Sequence, residues 1–158
     1  MLTSGFNHVA VLTNDTERLQ AFYQEVFDAR VLRDGPEPGT EDGDVRMTVI
    51  HVGPTSELNV FQIKGNAEAE RQTPMFGRGR IDHIGLQAAS IEAFDTIRER
   101  LIARGSTDGF VTDFGPIYSL FFVDPDGLEG EVCVPIPNAV PGASNPPGTP
   151  APGYDRVT

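Results

Sequence analysis

Two histidines in matching settings carry the first chemical suggestion in this chain. His8 stands third in FNHVAV, residues 6–11, and His83 stands third in IDHIGL, residues 81–86, at an offset of 75. A lone histidine in an apolar strand is usually a satisfied core residue. Two at equivalent positions of a repeat differ, because buried imidazoles brought into one place need hydrogen-bond partners or a metal ion. Two histidines and one carboxylate form a facial ligand set that holds a divalent ion and leaves coordination positions open for chemistry. Glu131 supplies that carboxylate: it lies in the apolar run GEVCV, where an inward-facing glutamate is otherwise out of place. Glu129 shares the strand face of Glu131 but adjoins a turn, which favours a solvated side chain.

The elements that must position these groups repeat at the same offset. Leu19, Phe22, Val26 and Phe27 recur at three- and four-residue steps, the stripe of an amphipathic helix, and the offset carries them onto Phe94, Ile97, Leu101 and Ile102. Asn14 or Asp15 can cap the first helix, with Glu17 able to reach back; Ser90 opens the second and Gly105 closes it. Short strands are expected at 29–33, 46–52 and 58–63, then at 110–114, 118–123 and 131–134. Asp124 to Gly127, DPDG, reads as a turn, with proline fixing φ at its second position. A polar loop is expected at 35–44. The organisation is therefore a first module at 1–64, a linker at 65–80, a second module at 81–135 and a tail at 136–158. From Pro135 onward seven of 24 residues are proline, and no apolar period survives, so an extended or disordered tail is expected.

Bulk properties narrow the partners. At 158 residues the chain can bury one substantial core, or two small modules sharing one, without staples. Cys133 is the single cysteine, which excludes an internal disulfide framework and suits a reducing cytoplasmic setting. No run of apolar residues is long enough for a membrane span and no leader pattern opens the chain. The formal charge of -11 repels phosphate backbones and anionic lipid, so nucleic acid and membranes are not expected partners.

NHVAVLTNDTERLQAFYQEVF, DHIGL and FFVDPDGLEGEV together resemble the vicinal oxygen chelate superfamily, which includes glyoxalase I, methylmalonyl-CoA epimerase, extradiol dioxygenases, and the bleomycin and fosfomycin resistance proteins. The resemblance covers Phe6 to Val134. It implies an α+β fold of two paired βαβββ modules forming a cleft between curved mixed sheets. It also implies one divalent metal ion, iron, manganese, nickel, cobalt or zinc, held by His8, His83 and Glu131. A fourth position falls in the triplet LNV, on Asn59, where glyoxalase I has glutamate and the epimerase glutamine. Glu57, two residues earlier on the same strand face, is the alternative if the register shifts.

The implied chemistry is Lewis-acid catalysis on a small substrate that chelates through two adjacent oxygens: isomerase, epimerase, lyase or ring-cleaving dioxygenase. The amide at position 59 weakens a glyoxalase-type isomerisation. Extradiol cleavage lacks its acid-base partners, since Phe121 and Thr112 stand where that type has tyrosine and histidine. Tyr118 and His51 read as ordinary strand residues. Fosfomycin-type transfer is the least favoured of the enzymatic readings. The alternative is a metal-free module that binds a drug or metabolite without catalysis, and a homodimer is the expected assembly.

Overall fold

A computed structural model of the chain describes residues 2, 6–37, 40, 43–71, 73–77, 81–139, 145 and 148–155. Parts of the expected polar loop, linker and tail, at 38–39, 41–42, 72, 78–80, 140–144, 146–147 and 156–158, lie outside those residues. The chain divides into two compact units, Met1–Gln72 and Thr73–Thr158.

The first unit runs β1 (His8–Leu12), α1 (Thr16–Phe27), β2 (Arg30–Pro36), β3 (Val45–Gly53) and β4 (Ser56–Ile63). Its sheet has the order β1-β4-β3-β2, with β1 parallel to β4 and the other pairs antiparallel. Asp15 caps α1 by accepting from the Arg18 amide at 2.9 Å. The helix buries Leu19, Phe22, Tyr23 and Val26, so Tyr23 takes the place in the stripe expected of Phe27. Asp28 ends it in the left-handed region at φ 53, which a short polar side chain tolerates better than most. The Thr16 amide and hydroxyl donate to Gln62 Oε1, and Gln20 Nε2 donates to Thr48 Oγ1, so α1 lies on the sheet face of Thr48, Ile50, Leu58 and Val60. Alternation along the strands puts His8, His51, Glu57 and Asn59 on the opposite face.

The carboxylate of Glu17 does not reach back to the cap. It accepts from Arg46 Nη1, whose Nε and Nη2 reach Asp34 at 2.7 and 2.6 Å, and this network ties α1 to β2 and β3. The Arg46 hydrogen bonds hold the Asp34 carboxyl well below the usual carboxylate range. A carboxyl depressed in the folded state contributes stability above its unfolded value of about 4 and loses it as the pH falls through the folded value. Arg46→Leu is therefore expected to cost about 1 kcal/mol at pH 7, a partly exposed pair being screened. Its cost should shrink as the pH is lowered below about 4. Thermal melts of both proteins at pH 7 and pH 3 check this, and an equal gap at the two pH values would refute it.

The second unit repeats the order with β5 (Ile84–Gln87), α2 (Ile91–Ala103), β6 (Val111–Asp113), β7 (Ile117–Val123) and β8 (Glu129–Pro135), in the sheet order β5-β8-β7-β6. Each unit is thus a βαβββ module with a four-stranded mixed sheet. Ser90 caps α2 by accepting from the Ala93 amide, and Gly105 ends it at φ 67. Phe94 and Leu101 of α2 are buried, as are Val111, Leu120, Phe122, Val132 and Val134. In the 124–127 turn Asp124 Oδ1 accepts from the Asp126 and Leu128 amides, both at 2.9 Å. Gly130 follows, and a Cβ there would meet the Phe122 ring at 2.7 Å and the Ile84 carbonyl at 3.2 Å. Gly130→Ala is expected to cost about 1–3 kcal/mol by overpacking, read by urea denaturation, whereas an unchanged midpoint would show that the ring moves aside freely.

The described residues of the C-terminal segment carry no helix or strand, in keeping with an extended tail, but they are docked rather than loose. The Ala151 amide donates to the Val111 carbonyl at 2.9 Å, and Asn145 Oδ1 accepts from the Asp113 amide at 2.9 Å. Both bonds satisfy β6, the outer strand of its sheet, on the side away from β7. Further along, Tyr154 donates its hydroxyl to Asp95 Oδ1 at 2.8 Å and packs edge-on against Phe94 and Tyr118. Ala151 is buried at 1% exposure.

Candidate functional site

In the second unit His83 and Glu131 come together. Glu131 lies in β8 opposite Gly85 of β5 and Phe121 of β7. His83 immediately precedes β5, one residue outside the ladder, which begins with Ile84 paired to Gly130. Its neighbour Asp82 holds it there: Asp82 Oδ1 accepts from the Phe76 amide while Oδ2 faces His83 Nδ1 at 2.8 Å. A carboxylate only accepts, so Nδ1 is the protonated nitrogen of the neutral ring, the tautomer in which Nε2 is the nitrogen that can bind a ligand. That Nε2 stands 3.7 Å from Glu131 Oε1, beyond hydrogen-bond reach. The other Glu131 oxygen, Oε2, accepts from Ser119 Oγ at 2.7 Å. Gly85 leaves the room: a Cβ there would lie 3.3 Å from Glu131 Oε1.

Cys133 shares this face. Burial first, and then the negative charge of Glu131, pushes its thiol up to about 11, so it stays protonated at neutral pH and is a poor thiolate ligand or nucleophile.

In the first unit His8 is exposed and pairs in register with Glu57, while Ala10 pairs with Asn59. His8, Glu57 and Asn59 therefore share one face of two adjacent strands. His8 Nδ1 faces Asn7 Oδ1 at 2.8 Å. Asn7 and Asp82 are equivalent across the repeat, so each site histidine has its Nδ1 held by the residue before it, an amide in one unit and a carboxylate in the other. Asn59 Oδ1 is buried and, among the described residues, is the buried side-chain polar atom with no hydrogen-bond partner. His51, read from the sequence as an ordinary strand residue, places Nε2 3.3 Å from Glu57 Oε1 on this same face.

The donor types in each unit, taken separately, are ones that suit a divalent ion. Imidazole nitrogen, carboxylate and amide oxygen suit first-row divalent metals. Two donors each about 2.0–2.2 Å from one ion can stand roughly 4 Å apart or less, and the His83 to Glu131 separation lies within that limit. Asn59 Oδ1 is an acceptor awaiting a cation or a donor. Among the described residues no three or more of His, Cys, Asp and Glu form a metal cluster. The second unit offers a pair, and the first an imidazole and an amide. Asp82, Ser119, Gly85 and Asn7 were not singled out from the sequence; of these only Asn7 and Asp82 leave a trace there, as short polar residues at the same place in both copies.

Comparison with known proteins agrees with this architecture. The sequence model of the Glyoxalase/Bleomycin resistance protein/Dioxygenase superfamily matches residues 5–132. No curated protein matches the chain. Among solved structures, a glyoxylase/bleomycin resistance protein/dioxygenase domain from Frankia sp. EAN1pec is similar at TM-score 0.69 and 20% identity, over 86% of this chain and 95% of that one. A variant of the fosfomycin resistance protein FosX from Listeria monocytogenes, complexed with Mn(II) and 1S,2S-dihydroxypropylphosphonic acid, is similar at TM-score 0.61 and 19% identity, over 83% of this chain and 92% of that one. FosX from Mesorhizobium loti gives TM-score 0.54 and 21% identity, over 83% and 91%. At such identities the likeness is one of fold. No helix among the described residues is long and apolar enough to cross a membrane.

Proposed function

Since the chain belongs to the Glyoxalase/Bleomycin resistance protein/Dioxygenase superfamily, we propose that it is a metal-dependent enzyme of isomerase, epimerase, lyase or ring-cleaving type. Its substrate is a small molecule bound through two adjacent oxygens. His8, His83, Glu131 and Asn59 form the proposed ligand set. The observation that carries this reading is the His83 and Glu131 pair, whose free Nε2 and Oε1 face each other at 3.7 Å with Asp82 fixing the tautomer. A divalent ion bound there supplies Lewis-acid stabilisation of negative charge developing on substrate oxygen.

The protein's own groups do the rest. Asn59 offers its carbonyl oxygen to the ion or its amide hydrogens to the substrate, and it cannot accept a proton as a carboxylate would. Glu57, on the same face and paired with His51, is the carboxylate placed to take that role in a proton-transfer reaction. Phe121, across from Glu131, meets the His83 ring in an edge-type contact at 6.0 Å and has no exchangeable side-chain proton, so it cannot be the acid-base partner that ring cleavage would draw on. The proposed assembly is a homodimer in the cytoplasm, a setting that suits the free Cys133.

Elemental analysis of protein purified without a metal-affinity tag tests the reading. Stoichiometric divalent metal, with rebinding lost in His83→Ala, is expected. Absence of metal together with no rebinding that depends on His83 would leave a metal-free binding module. Deuterium uptake from solvent into candidate substrates, against oxygen consumption on catechols, then separates proton transfer from ring cleavage.

A further inference from the structure

Ser119 is completely buried in β7 and pairs in register with Cys133, two residues beyond Glu131 on the same face. Its hydroxyl donates to Glu131 Oε2 at 2.7 Å, and an ionised carboxylate can only accept, so the Ser119 proton is committed to that oxygen. The terminal torsion of a glutamate is broad and nearly two-fold, so packing alone does little to choose which oxygen faces which way. Four neighbours bear on it here. Ser119 grips Oε2, the Cys133 thiol is a second and weaker hydrogen-bond partner of the carboxylate, Phe121 lies directly across the ladder, and Gly85 leaves open space beside Oε1, the oxygen that faces His83 Nε2.

We propose that Ser119 is a positioning residue for Glu131, holding one carboxylate oxygen so that the other is presented to the ion beside His83. The proposal rests on the reading of Glu131 as a metal ligand. It mirrors, on the carboxylate side, what Asp82 does for the imidazole, and together the two buttresses give the order Asp82, His83, Glu131, Ser119. Partners behind a ligand of this kind typically change metal affinity by about 10–100-fold when removed.

The test is calorimetric titration of the full chain with Mn(II), alongside thermal melts, for the parent, Ser119→Ala, Ser119→Thr and Glu131→Gln. Ser119→Ala is expected to weaken Mn(II) binding by about 10–100-fold, and Ser119→Thr, which keeps the hydroxyl, to recover most of the loss. A purely structural serine would lower the melting temperature of Ser119→Ala and leave the affinity of the folded protein unchanged, and that result overturns the proposal. If Ser119→Ala does not fold, Ser119→Cys, a weaker donor of similar size, is read in its place, with intermediate weakening expected and parental affinity again overturning it. Glu131→Gln separates the two levels: parental affinity in that variant overturns the ligand reading itself. Lost affinity in Glu131→Gln beside parental affinity in Ser119→Ala overturns only the role of the serine.

Discussion

Replacing Glu131 with alanine is expected to lower Mn(II) affinity by more than about 100-fold, beyond the range that loss of an outer partner produces. The same substitution should also cost stability without metal, by a separate route. Ser119 Oγ is bonded to Glu131 Oε2 inside a completely buried residue, and truncation of the glutamate leaves that hydroxyl only the Cys133 sulfur, a weak acceptor, at about 1–3 kcal/mol. Glu131→Gln keeps a carbonyl oxygen within reach of Ser119 and removes only the charge. The pair of variants therefore divides two effects: both should lose metal, and only the alanine should unfold earlier in urea. Calorimetric titration beside urea denaturation reads both quantities. Parental metal affinity in Glu131→Ala would remove Glu131 from any metal centre.

Phe94→Ala is expected to be strongly destabilising, at about 3–5 kcal/mol. Its ring is wholly buried on the inner side of α2, and it also forms the floor on which Tyr154 rests, with ring centroids 5.9 Å apart. Truncation thus opens a cavity in the second unit and removes the seat of the C-terminal segment in one step. Tyr154→Phe keeps the ring and loses the hydroxyl bond to Asp95, so it should cost only about 1 kcal/mol. Denaturant midpoints order the two variants, and limited proteolysis near Tyr154 should accelerate in Phe94→Ala before the rest of the unit is cut. Equal midpoints would mean that the ring contributes no more than its neighbour's hydroxyl.

Much of the architecture was legible because it is written twice. The offset of 75 linked β1 with β5 and α1 with α2, and periodicity placed the helices within a residue or two of Thr16–Phe27 and Ile91–Ala103. The eight strands of the described residues all lie where apolar runs bounded by turn residues suggested. Their limits differ by up to three residues, since ladder bonds, rather than side-chain types, decide where pairing starts. His83 shows this: IDHIGL reads as one strand, yet Asp82 spends its carboxylate on the Phe76 amide and on His83, and pairing begins at Ile84.

What could not be read are contacts that depend on register. Ser119 and Glu131 are twelve residues apart on antiparallel strands, and only the observed pairing of β7 with β8 makes them neighbours. The same holds for His51 and Glu57 across β3 and β4. The docking of the described C-terminal residues was illegible for a different reason: it runs through one backbone amide, one asparagine side chain and one tyrosine, and none of these produces a periodic pattern.

That docking has a kinetic consequence. The fastenings of the segment are unlike in kind: hydrogen bonds to the backbone of β6 at Asn145 and Ala151, and an aromatic seat with a hydroxyl bond at Tyr154, over which the Arg98 guanidinium lies at 5.4 Å. The Ala151 amide and the Tyr154 ring lie three residues apart on the described stretch 148–155, so neither fastening is released without loading the other. The Ala151 amide should exchange with solvent only when Tyr154 also leaves its seat, which makes this part of the sheet edge a door on a single latch.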